Sequence, residues 1–277
     1  MHPESVQNVI GIFDSGVGGL TVLRCVTDLL PAEKIVYLGD SARVPYGTKG
    51  DDTVKRFALE NARFLMRFKP KLIIVACNTA SAVAVDHVAA NIPVPVFGVV
   101  RPGAEAACRI SDHGRIGVMA TETTIGSGAY QRHILELRPE ATVFAVACPL
   151  LVPIIEDGRG RTDQIARLAA SEYVTKLANK VDTILLGCTH YPLLADLIGE
   201  IAGPGVKIVD SAGETAETVF RQMKAMNLLA GKEKRGQIYF MATDAPGRFA
   251  SIGSRFLGKK IKKVYHVKQE EFFEKTQ

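Results

Sequence analysis

The sequence predicts an α/β protein with two similar α/β domains, whose mainly parallel sheets face each other across a cleft. Short apolar runs alternate with segments of helical periodicity, an order typical of parallel sheets covered by helices. Two of these runs end alike, at Cys77 in LIIVACNTASAV (72–83) and at Cys188 in TILLGCTHYPLL (183–194). With 277 residues, 47% of them apolar, the chain is large enough for one large or two medium-sized domains.

The strand candidates are short apolar runs bounded by glycine, proline or polar residues. In chain order they are residues 9–13, 35–38, 72–76, 94–99, 116–119, 142–147, 183–186, 206–209, 237–241 and 262–266. Between the second and third runs, apolar residues repeat at helical spacing from Val54 to Phe68, with a polar exception at Asn61. This spacing predicts an amphipathic helix. After the fourth run, Pro102-Gly103 opens another predicted helix.

The two runs that end in cysteine lie 111 positions apart and indicate a weak internal repeat, since polar residues and a predicted helix follow each cysteine. We therefore predict that residues 1–100 together with 211–277 form a first domain, on the Cys77 side. Residues 101–210 should form the second domain, on the Cys188 side. Ligands of open α/β sheets bind beyond the carboxyl ends of the strands, so both cysteines should lie at the cleft.

Composition and charge argue against a nucleic-acid-binding, membrane-spanning or disulfide-bonded protein. The net charge is +5, and Lys259, Lys260, Lys262 and Lys263 cluster without interleaved aromatic residues. We interpret the cluster as a solvated face and expect no nucleic-acid partner; an anionic partner surface is the alternative. The first residues, MHPESVQNVI, lack a signal pattern and no uncharged run is long enough for a membrane helix, so we expect a cytoplasmic protein. Five cysteines without a Cys-x-x-Cys motif favour free thiols.

The segment GIFDSGVGGLTVL (11–23) places Asp14 and Ser15 at a strand end, followed by three glycines and a helix. Glycines let backbone N–H groups approach a ligand, and a helix N-terminus favours an anion. The segment is compatible with the phosphate loop of an actin-like ATPase, with a small-anion site or with a plain tight turn. It is not a Walker loop, because the Gly-Lys-Ser/Thr ending is missing.

A second loop, GDSARVPYGTKG (39–50), follows the next predicted strand and contains Arg43 and Tyr46. It is either an ordinary surface loop or a loop that covers a substrate, since such loops follow strands at the binding edge.

Cys77-Asn78-Thr79 and Cys188-Thr189-His190 are the strongest candidates for chemistry. A single cysteine at a strand end is usually a small core residue, but two in matched contexts favour a pair of reactive thiols. A helix N-terminus lowers the pKa of a thiol, and His190 can hold a proton beside Cys188. A metal site would need a fourth ligand beside Cys77, Cys188 and His190, and the usual zinc spacings are missing, so we expect none.

Two further segments, at Glu156 and at residues 121–124, contain less specific candidates. Glu156 precedes a glycine-containing segment and is either part of a solvated loop or a carboxylate at the edge of the cleft that sets the protonation of a neighbour. Thr121, Thr123 and Thr124 follow the fifth predicted strand and could donate hydrogen bonds to a ligand carboxylate or cap a helix.

Five motifs, FDSGVGGL, YLGDSARVPYG, ACNTASA, TIGSGAYQ and LGCTHYPLL, occur in the order seen in glutamate racemases. The sequence resembles this family from about residue 9 to 257. The resemblance implies a cofactor-independent enzyme, often a homodimer, that supplies D-glutamate for peptidoglycan. It further implies that Cys77 and Cys188 are the catalytic acid and base, assisted by Asp14, Glu156 and His190. The positions it implies for substrate binding are Asp14, Ser15, Pro45, Tyr46, Gly47, Asn78, Thr79, Thr121, Thr189 and His190.

The chemistry of the residues agrees with this resemblance. Inversion of an amino acid at its α-carbon needs a base on one face and an acid on the other, and reversibility requires that the two exchange roles. Two thiols suit the task, because each can be thiol or thiolate near neutral pH in a suitable environment. A racemase for aspartate or another amino acid is the near alternative. More distant alternatives are an actin-like ATPase or kinase that uses the Asp14 loop, and a binding module.

Overall fold

The computed structural model describes residues 6–231 and 235–272, and within these ranges it contains ten β-strands. They are β1 (Ile10–Asp14), β2 (Ile35–Gly39), β3 (Leu72–Val75), β4 (Val96–Gly98), β5 (Arg115–Ala120), β6 (Thr142–Ala147), β7 (Thr183–Gly187), β8 (Lys207–Asp210), β9 (Ile238–Ala242) and β10 (Val264–His266). All ten predicted strands are confirmed, with ends that differ by at most two residues.

Helices cover the sheets and connect successive strands. They are α1 (Leu20–Leu29), α2 (Asp51–Met66), α3 (Asn78–Asn91), α4 (Val100–Ile110), α5 (Glu122–Gly126), α6 (Ala129–Leu137), α7 (Leu151–Glu156), α8 (Gln164–Val174), α9 (Ala195–Ala202), α10 (Ala212–Ala225) and α11 (Pro246–Leu257). Two short 3₁₀ helices are Tyr191–Leu194, between β7 and α9, and Gln269–Phe272, after β10. The amphipathic helix predicted around residues 54–68 is α2, and α4 begins two residues before Pro102, which a first helical turn tolerates.

The strands form two separate, fully parallel sheets. The first has the order β10-β9-β2-β1-β3-β4 and the second β6-β5-β7-β8. In each sheet, the four strands that come first in the chain lie side by side in the same spatial order. The order is β2-β1-β3-β4 in the first sheet and β6-β5-β7-β8 in the second. This shared order is the structural counterpart of the repeat in the sequence, because Cys77 and Cys188 each follow the third strand of their set. The exact division of the chain into domains stays a prediction.

The central strands are buried along their whole length. Every residue of β1, β2, β3 and β7 is buried, as expected for parallel strands covered by helices on both faces. This explains why these strands are continuous apolar runs in the sequence rather than alternating patterns. The four lysines of the C-terminal cluster are exposed. Within residues 6–231 and 235–272, no helix combines the length and apolar character needed to cross a membrane.

A buried hydrogen-bond contact of Ser81 lies where the chain passes from β4 of the first sheet into α4. The hydroxyl oxygen of Ser81, on α3, accepts hydrogen bonds from the backbone N–H groups of Val99 (2.9 Å) and Val100 (3.2 Å). All three residues are buried. Ser81 thus fixes the start of α4, the helix that leads into the second sheet. Further on, α10 packs against both α1 and α4, so helices of both sheets are in contact.

We expect Ser81→Ala to lower the free energy of unfolding by about 1–3 kcal/mol, because two buried N–H groups lose their acceptor. Urea denaturation measures the change. The matched control is Ser251→Ala, since Ser251 is exposed on α11 and its loss should change the free energy of unfolding by less than about 0.5 kcal/mol. Equal stability of the two variants would contradict the role of Ser81.

Candidate active site

A cavity of about 320 Å³ lies where the carboxyl ends of strands from both sheets meet. It is lined by Ser15, Val44, Pro45, Tyr46, Gly47, Thr48, Cys77, Asn78, Thr79, Thr121, Glu122, Pro149, Val152, Pro153, Glu156, Cys188, Thr189 and His190. Every residue that the family resemblance implies for the site, except Asp14, lies in this lining. Asp14 is the last residue of β1, directly before Ser15, and is completely buried.

A larger cavity, of about 600 Å³, lies elsewhere and contains none of the predicted site residues. It is lined by Leu29, Leu30, Pro31, Ala32, Glu33, Phe220, Leu229, Ala230 and Arg235. The buried Glu33 carboxylate in this lining is already paired, with Lys71 at 2.8 Å and with the backbone N–H of Ala230 at 2.6 Å. We therefore assign the chemistry to the smaller cavity, which contains both thiols.

Cys77 lies between β3 and α3, with its Sγ 3.7 Å from the Ser15 hydroxyl oxygen. Burial raises the pKa of the Cys77 thiol to about 11, and the negative charge of Asp14 acts in the same direction. The backbone N–H of Ala80, in the first turn of α3, lowers this pKa but is outweighed. The expectation that the helix N-terminus would produce a low thiol pKa is therefore wrong, because burial is the larger effect.

Cys188 directly follows β7, and its surroundings differ from those of Cys77. The helix that follows it is the 3₁₀ helix Tyr191–Leu194, and the first α-helix, α9, begins only at Ala195. The matched α-helix predicted after both cysteines is thus found only after Cys77. Burial raises the pKa of the Cys188 thiol well above its ordinary value, and the backbone N–H of His190 opposes this only in part. With these raised pKa values, both thiols are protonated at neutral pH.

His190 and Glu156 form a pair beside Cys188. The Nδ1 atom of His190 lies 4.0 Å from the Cys188 Sγ, and its Nε2 atom lies 3.0 Å from Glu156 Oε1. This hydrogen bond to His190 lowers the pKa of Glu156, even though partial burial acts in the opposite direction. Glu156 is therefore a carboxylate at neutral pH, and it holds the imidazole between itself and the thiol. The interpretation of Glu156 as part of a solvated loop is wrong, since it lines the cavity.

The glycine turn after β1 packs against the second half of the site. A side chain at Gly18 would collide with Thr189 and His190, and the Thr21 hydroxyl donates to the backbone carbonyl oxygens of Gly18 (3.0 Å) and Thr189 (3.3 Å). Close approach to protein thus explains why Gly18 is needed here. The turn also supports Asp14, whose Oδ2 accepts a hydrogen bond from the Gly16 N–H at 2.8 Å. Burial raises the pKa of Asp14, although His190 and these backbone N–H groups oppose the rise.

Three threonine hydroxyls meet at the opposite end of the lining. Thr79, from the first sheet's side, lies 2.9 Å from the Thr121 hydroxyl and 3.2 Å from that of Thr124, and Thr121 and Thr124 are 2.8 Å apart. The hydroxyl of Thr121 is thus engaged in this triangle rather than in capping α5. Thr123 instead donates to the backbone carbonyl oxygens of Gly47 and Lys49, both at 2.9 Å, and ties the 44–48 loop to α5.

A buried polar network around Asp40 holds the 44–48 loop in place through the Tyr46 hydroxyl. Asp40, at the end of β2, accepts hydrogen bonds from the Tyr46 hydroxyl, from Arg43 Nε (2.7 Å) and from the Thr243 hydroxyl (3.1 Å). Asn61, the polar exception on the buried face of α2, donates to the Tyr46 hydroxyl oxygen at 3.0 Å. These contacts hold the Tyr46 ring in the cavity wall, so the loop is more than the ordinary surface loop considered from the sequence.

The sequence analysis did not identify several residues of the site. The lining residues that it missed are Val44, Thr48, Glu122, Pro149, Val152 and Pro153. It also missed the Asp40 network that holds the 44–48 loop, which includes Asn61 and Thr243. One signal was present, since Asn61 interrupts an apolar helical pattern. Within the ranges that the structure describes, no three His, Cys, Asp or Glu side chains cluster as metal ligands would. All five cysteines are free.

Comparison with known proteins gives consistent matches. The model of the Asp/Glu/hydantoin racemase family matches residues 10–219. The sequence is 48% identical to the glutamate racemase of Geobacter metallireducens over 262 aligned residues. The alignment covers 94% of this chain and 97% of that protein.

Two solved structures are similar over nearly their whole length. One is a glutamate racemase from Thermus thermophilus in complex with β-chloro-D-alanine, at 42% identity and a TM-score of 0.86, covering 97% of this chain and 99% of that one. The other is a glutamate racemase from Francisella tularensis in complex with D-glutamate, at 36% identity and a TM-score of 0.87, covering 95% and 98%.

We expect Asn61→Ala to lower the free energy of unfolding by about 1–3 kcal/mol, because buried partners in the Asp40 network lose a hydrogen bond. Urea denaturation measures this change. The control is Asn91→Ala at the exposed end of α3, where the lost bond is to the carbonyl of His87. If Asn61→Ala is no less stable than this control, the network does not support the fold.

We expect the iodoacetamide alkylation rate of Cys77 in the ligand-free protein to rise about tenfold per pH unit and to keep rising beyond about pH 9, because only the thiolate reacts. The reason is the pKa of about 11 at this site. Mass spectrometry of the peptide that contains Cys77 gives the rate, and the urea-denatured chain is the control, in which the rate should level off near the ordinary thiol pKa. A plateau below about pH 9 in the folded protein would show that the start of α3 outweighs burial.

Proposed function

The chain belongs to the Asp/Glu/hydantoin racemase family, and we propose that it interconverts L-glutamate and D-glutamate with two cysteine thiols as acid and base. It is thus an amino-acid racemase, an isomerase. The observation that carries the two-thiol proposal is that Cys77 and Cys188, at corresponding positions after the third strands of the two sheets, line one cavity.

The reaction follows from having one thiol on each side of the substrate. One cysteine, as thiolate, takes the proton from the α-carbon, and the C–H electron pair stays on the carbon. The other cysteine then gives its S–H proton to the opposite face of that carbon. At the end the first sulfur is a thiol and the second a thiolate, so the enzyme is ready for the reverse direction. Following the family resemblance, Cys77 acts on the D-enantiomer and Cys188 on the L-enantiomer.

Neighbouring groups must remove a proton from a thiol before it can act as a base, since burial keeps both thiols protonated. On the Cys188 side, His190 lies between the sulfur and the Glu156 carboxylate and can accept the thiol proton. On the Cys77 side, the adjacent Asp14 carboxylate is the corresponding group. Asp14, His190 and Glu156 therefore assist the two cysteines in this proposal.

The remaining cavity residues fit the binding of an amino acid with two carboxylates. Ser15, Thr79, Thr121 and Thr189 line the cavity, and their hydroxyl groups can donate hydrogen bonds. Tyr46, Gly47 and Asn78 line it as well, and each of them has a backbone N–H group. Donors that are fixed in place stabilise the negative charge that develops when the α-proton is removed. Pro45 shapes the same wall. A volume of about 320 Å³ suits a small metabolite, since ligand pockets span about 300–1,000 Å³.

The alternatives fit the observations less well. A racemase for aspartate would use the same thiols, but glutamate racemases align with 94–96% of this chain at 44–48% identity. An actin-like ATPase would need the glycine turn for phosphate, whereas Gly18 is packed against Thr189 and His190. By resemblance, the proposal also includes a cytoplasmic homodimer without nucleic-acid partners that supplies D-glutamate for peptidoglycan.

We expect the protein, after treatment with a chelator and in D₂O, to racemise L-glutamate and to place deuterium at the α-carbon. Optical rotation and proton NMR measure the two changes. Cys77→Ala and Cys188→Ala should each lower the racemisation rate by about 10²–10⁴-fold, because each removes one acid–base group. The matched control is Cys25→Ala on α1, outside the cavity lining, which should keep wild-type activity.

The outcomes separate the substrate from the mechanism. If the wild type leaves the rotation and α-proton of glutamate unchanged but racemises aspartate, only the substrate is wrong. If Cys77→Ala or Cys188→Ala retains full activity, the two-thiol mechanism is wrong.

A further inference from the structure

Two buried acceptor atoms at the site lack partners. Over the part of the chain that the structure describes, the buried side-chain nitrogen and oxygen atoms without a hydrogen bond are Asp14 Oδ1 and Asn78 Oδ1. Buried polar atoms are nearly always hydrogen-bonded, so each of these requires a partner. Both atoms are acceptors, which indicates that the missing partner is a donor.

The orientation of the Asn78 amide is set by Tyr130, on α6. The Asn78 Nδ2 group donates a hydrogen bond of 2.7 Å to the Tyr130 hydroxyl oxygen, and both residues are buried. An amide has one donor end and one acceptor end, so this bond determines which end remains available. The free end is Oδ1. Asn78 follows the first sheet's β3 and α6 covers the second sheet, so the bond joins the two halves of the site.

Tyr130 itself is held in a narrow slot between two glycines. A Cβ atom at Gly187, the last residue of β7, would lie 2.8 Å from the Tyr130 ring, and one at Gly103 would lie 3.3 Å from it. Burial raises the pKa of Tyr130 well above its ordinary value, and Ser211 is a second hydrogen-bond partner of the hydroxyl. The phenol therefore stays neutral and keeps a fixed position from which it accepts the Asn78 amide hydrogen.

We propose that Tyr130 is a positioning residue for the substrate: it fixes the Asn78 amide so that Oδ1 accepts a hydrogen bond from the substrate's α-ammonium group. This role rests on the proposed function, and it extends to a residue outside the cavity lining. The two substrate carboxylates bind elsewhere, at the hydroxyl and backbone N–H donors of the lining. Tyr130 thus acts on the ammonium group alone.

Tyr130→Phe tests the proposal, because the phenyl ring still fills the slot while the hydroxyl is lost. Without the hydroxyl, the Asn78 amide can rotate, which weakens the hydrogen bond between its Oδ1 and the substrate's ammonium group. We expect this hydrogen bond to be equally strong in the ground state and the transition state. KM for both glutamate enantiomers should rise about tenfold while kcat changes by less than about threefold. The matched control is Tyr239→Phe on β9, a buried tyrosine whose hydroxyl donates to Gln237 at 2.8 Å outside the cavity lining; its KM should equal that of the wild type.

Glutarate separates the ammonium group from the carboxylates, since it is the dicarboxylate that lacks the amino group. Its inhibition constant should change by less than about twofold in Tyr130→Phe, in contrast to KM for glutamate. The double variant Asn78→Ala/Tyr130→Phe should have the KM of Asn78→Ala, because Tyr130 acts through Asn78. A purely structural role would instead weaken glutarate and glutamate alike and would make the two effects multiply.

Each result decides the proposal. An unchanged KM in Tyr130→Phe, equal weakening of glutarate, or multiplied effects in the double variant overturns the positioning role while wild-type racemisation stands. Absence of wild-type racemisation overturns the proposed function, and the positioning role with it. If Tyr130→Phe does not fold, Asn78→Ala alone keeps the test sharp, since an equal loss of glutarate and glutamate affinity in that variant contradicts the ammonium contact.

Discussion

The contact between the glycine turn after β1 and the Thr189-His190 segment after β7 is the constraint on which the site depends. Gly18 leaves no space for a side chain at this point, and the Thr21 hydroxyl donates to the Thr189 carbonyl oxygen across the gap. The turn carries Asp14 and Ser15, and the segment carries His190, so the contact places the neighbours of both thiols at once. A parallel sheet alone would bring each cysteine to an edge. This contact, together with the hydrogen bonds of Asn78 to Tyr130 and of Thr79 to Thr121, brings the two edges together around one cavity.

Burial is the dominant electrostatic effect at this site. It raises the pKa of both thiols and of Asp14, and the backbone N–H groups around them reduce but do not cancel this effect. Both thiols are therefore protonated at neutral pH, and in the proposed reaction neighbouring groups remove their protons. Glu156 is the exception, since its hydrogen bond to His190 lowers its pKa and keeps a negative charge at the rim of the cavity. The low-dielectric surroundings that protect the thiols also strengthen every hydrogen bond made to a bound substrate.

The strands, the α2 helix and the positions of the two cysteines could be predicted because their signals are local: apolar runs, a helical period and a repeated strand-end motif. The Asp40 network could not, because Asn61 and Thr243 reach it from distant parts of the chain. Nor could the direction of the thiol pKa shifts, which depends on how much water the fold excludes. Tyr130 lies in a motif that supported the resemblance, but its contact with Asn78 exists only when both sheets are in place.

The two thiols have unlike neighbours, Ser15 and Asp14 on one side and His190 with Glu156 on the other. The two mirror-image substrates of the proposed reaction have the same free energy in water, so its equilibrium constant is unity whatever the protein does. Thermodynamics then requires kcat/KM to be equal in the two directions. The structural asymmetry of the site can therefore make one enantiomer bind more tightly, but that enantiomer must turn over more slowly by the same factor.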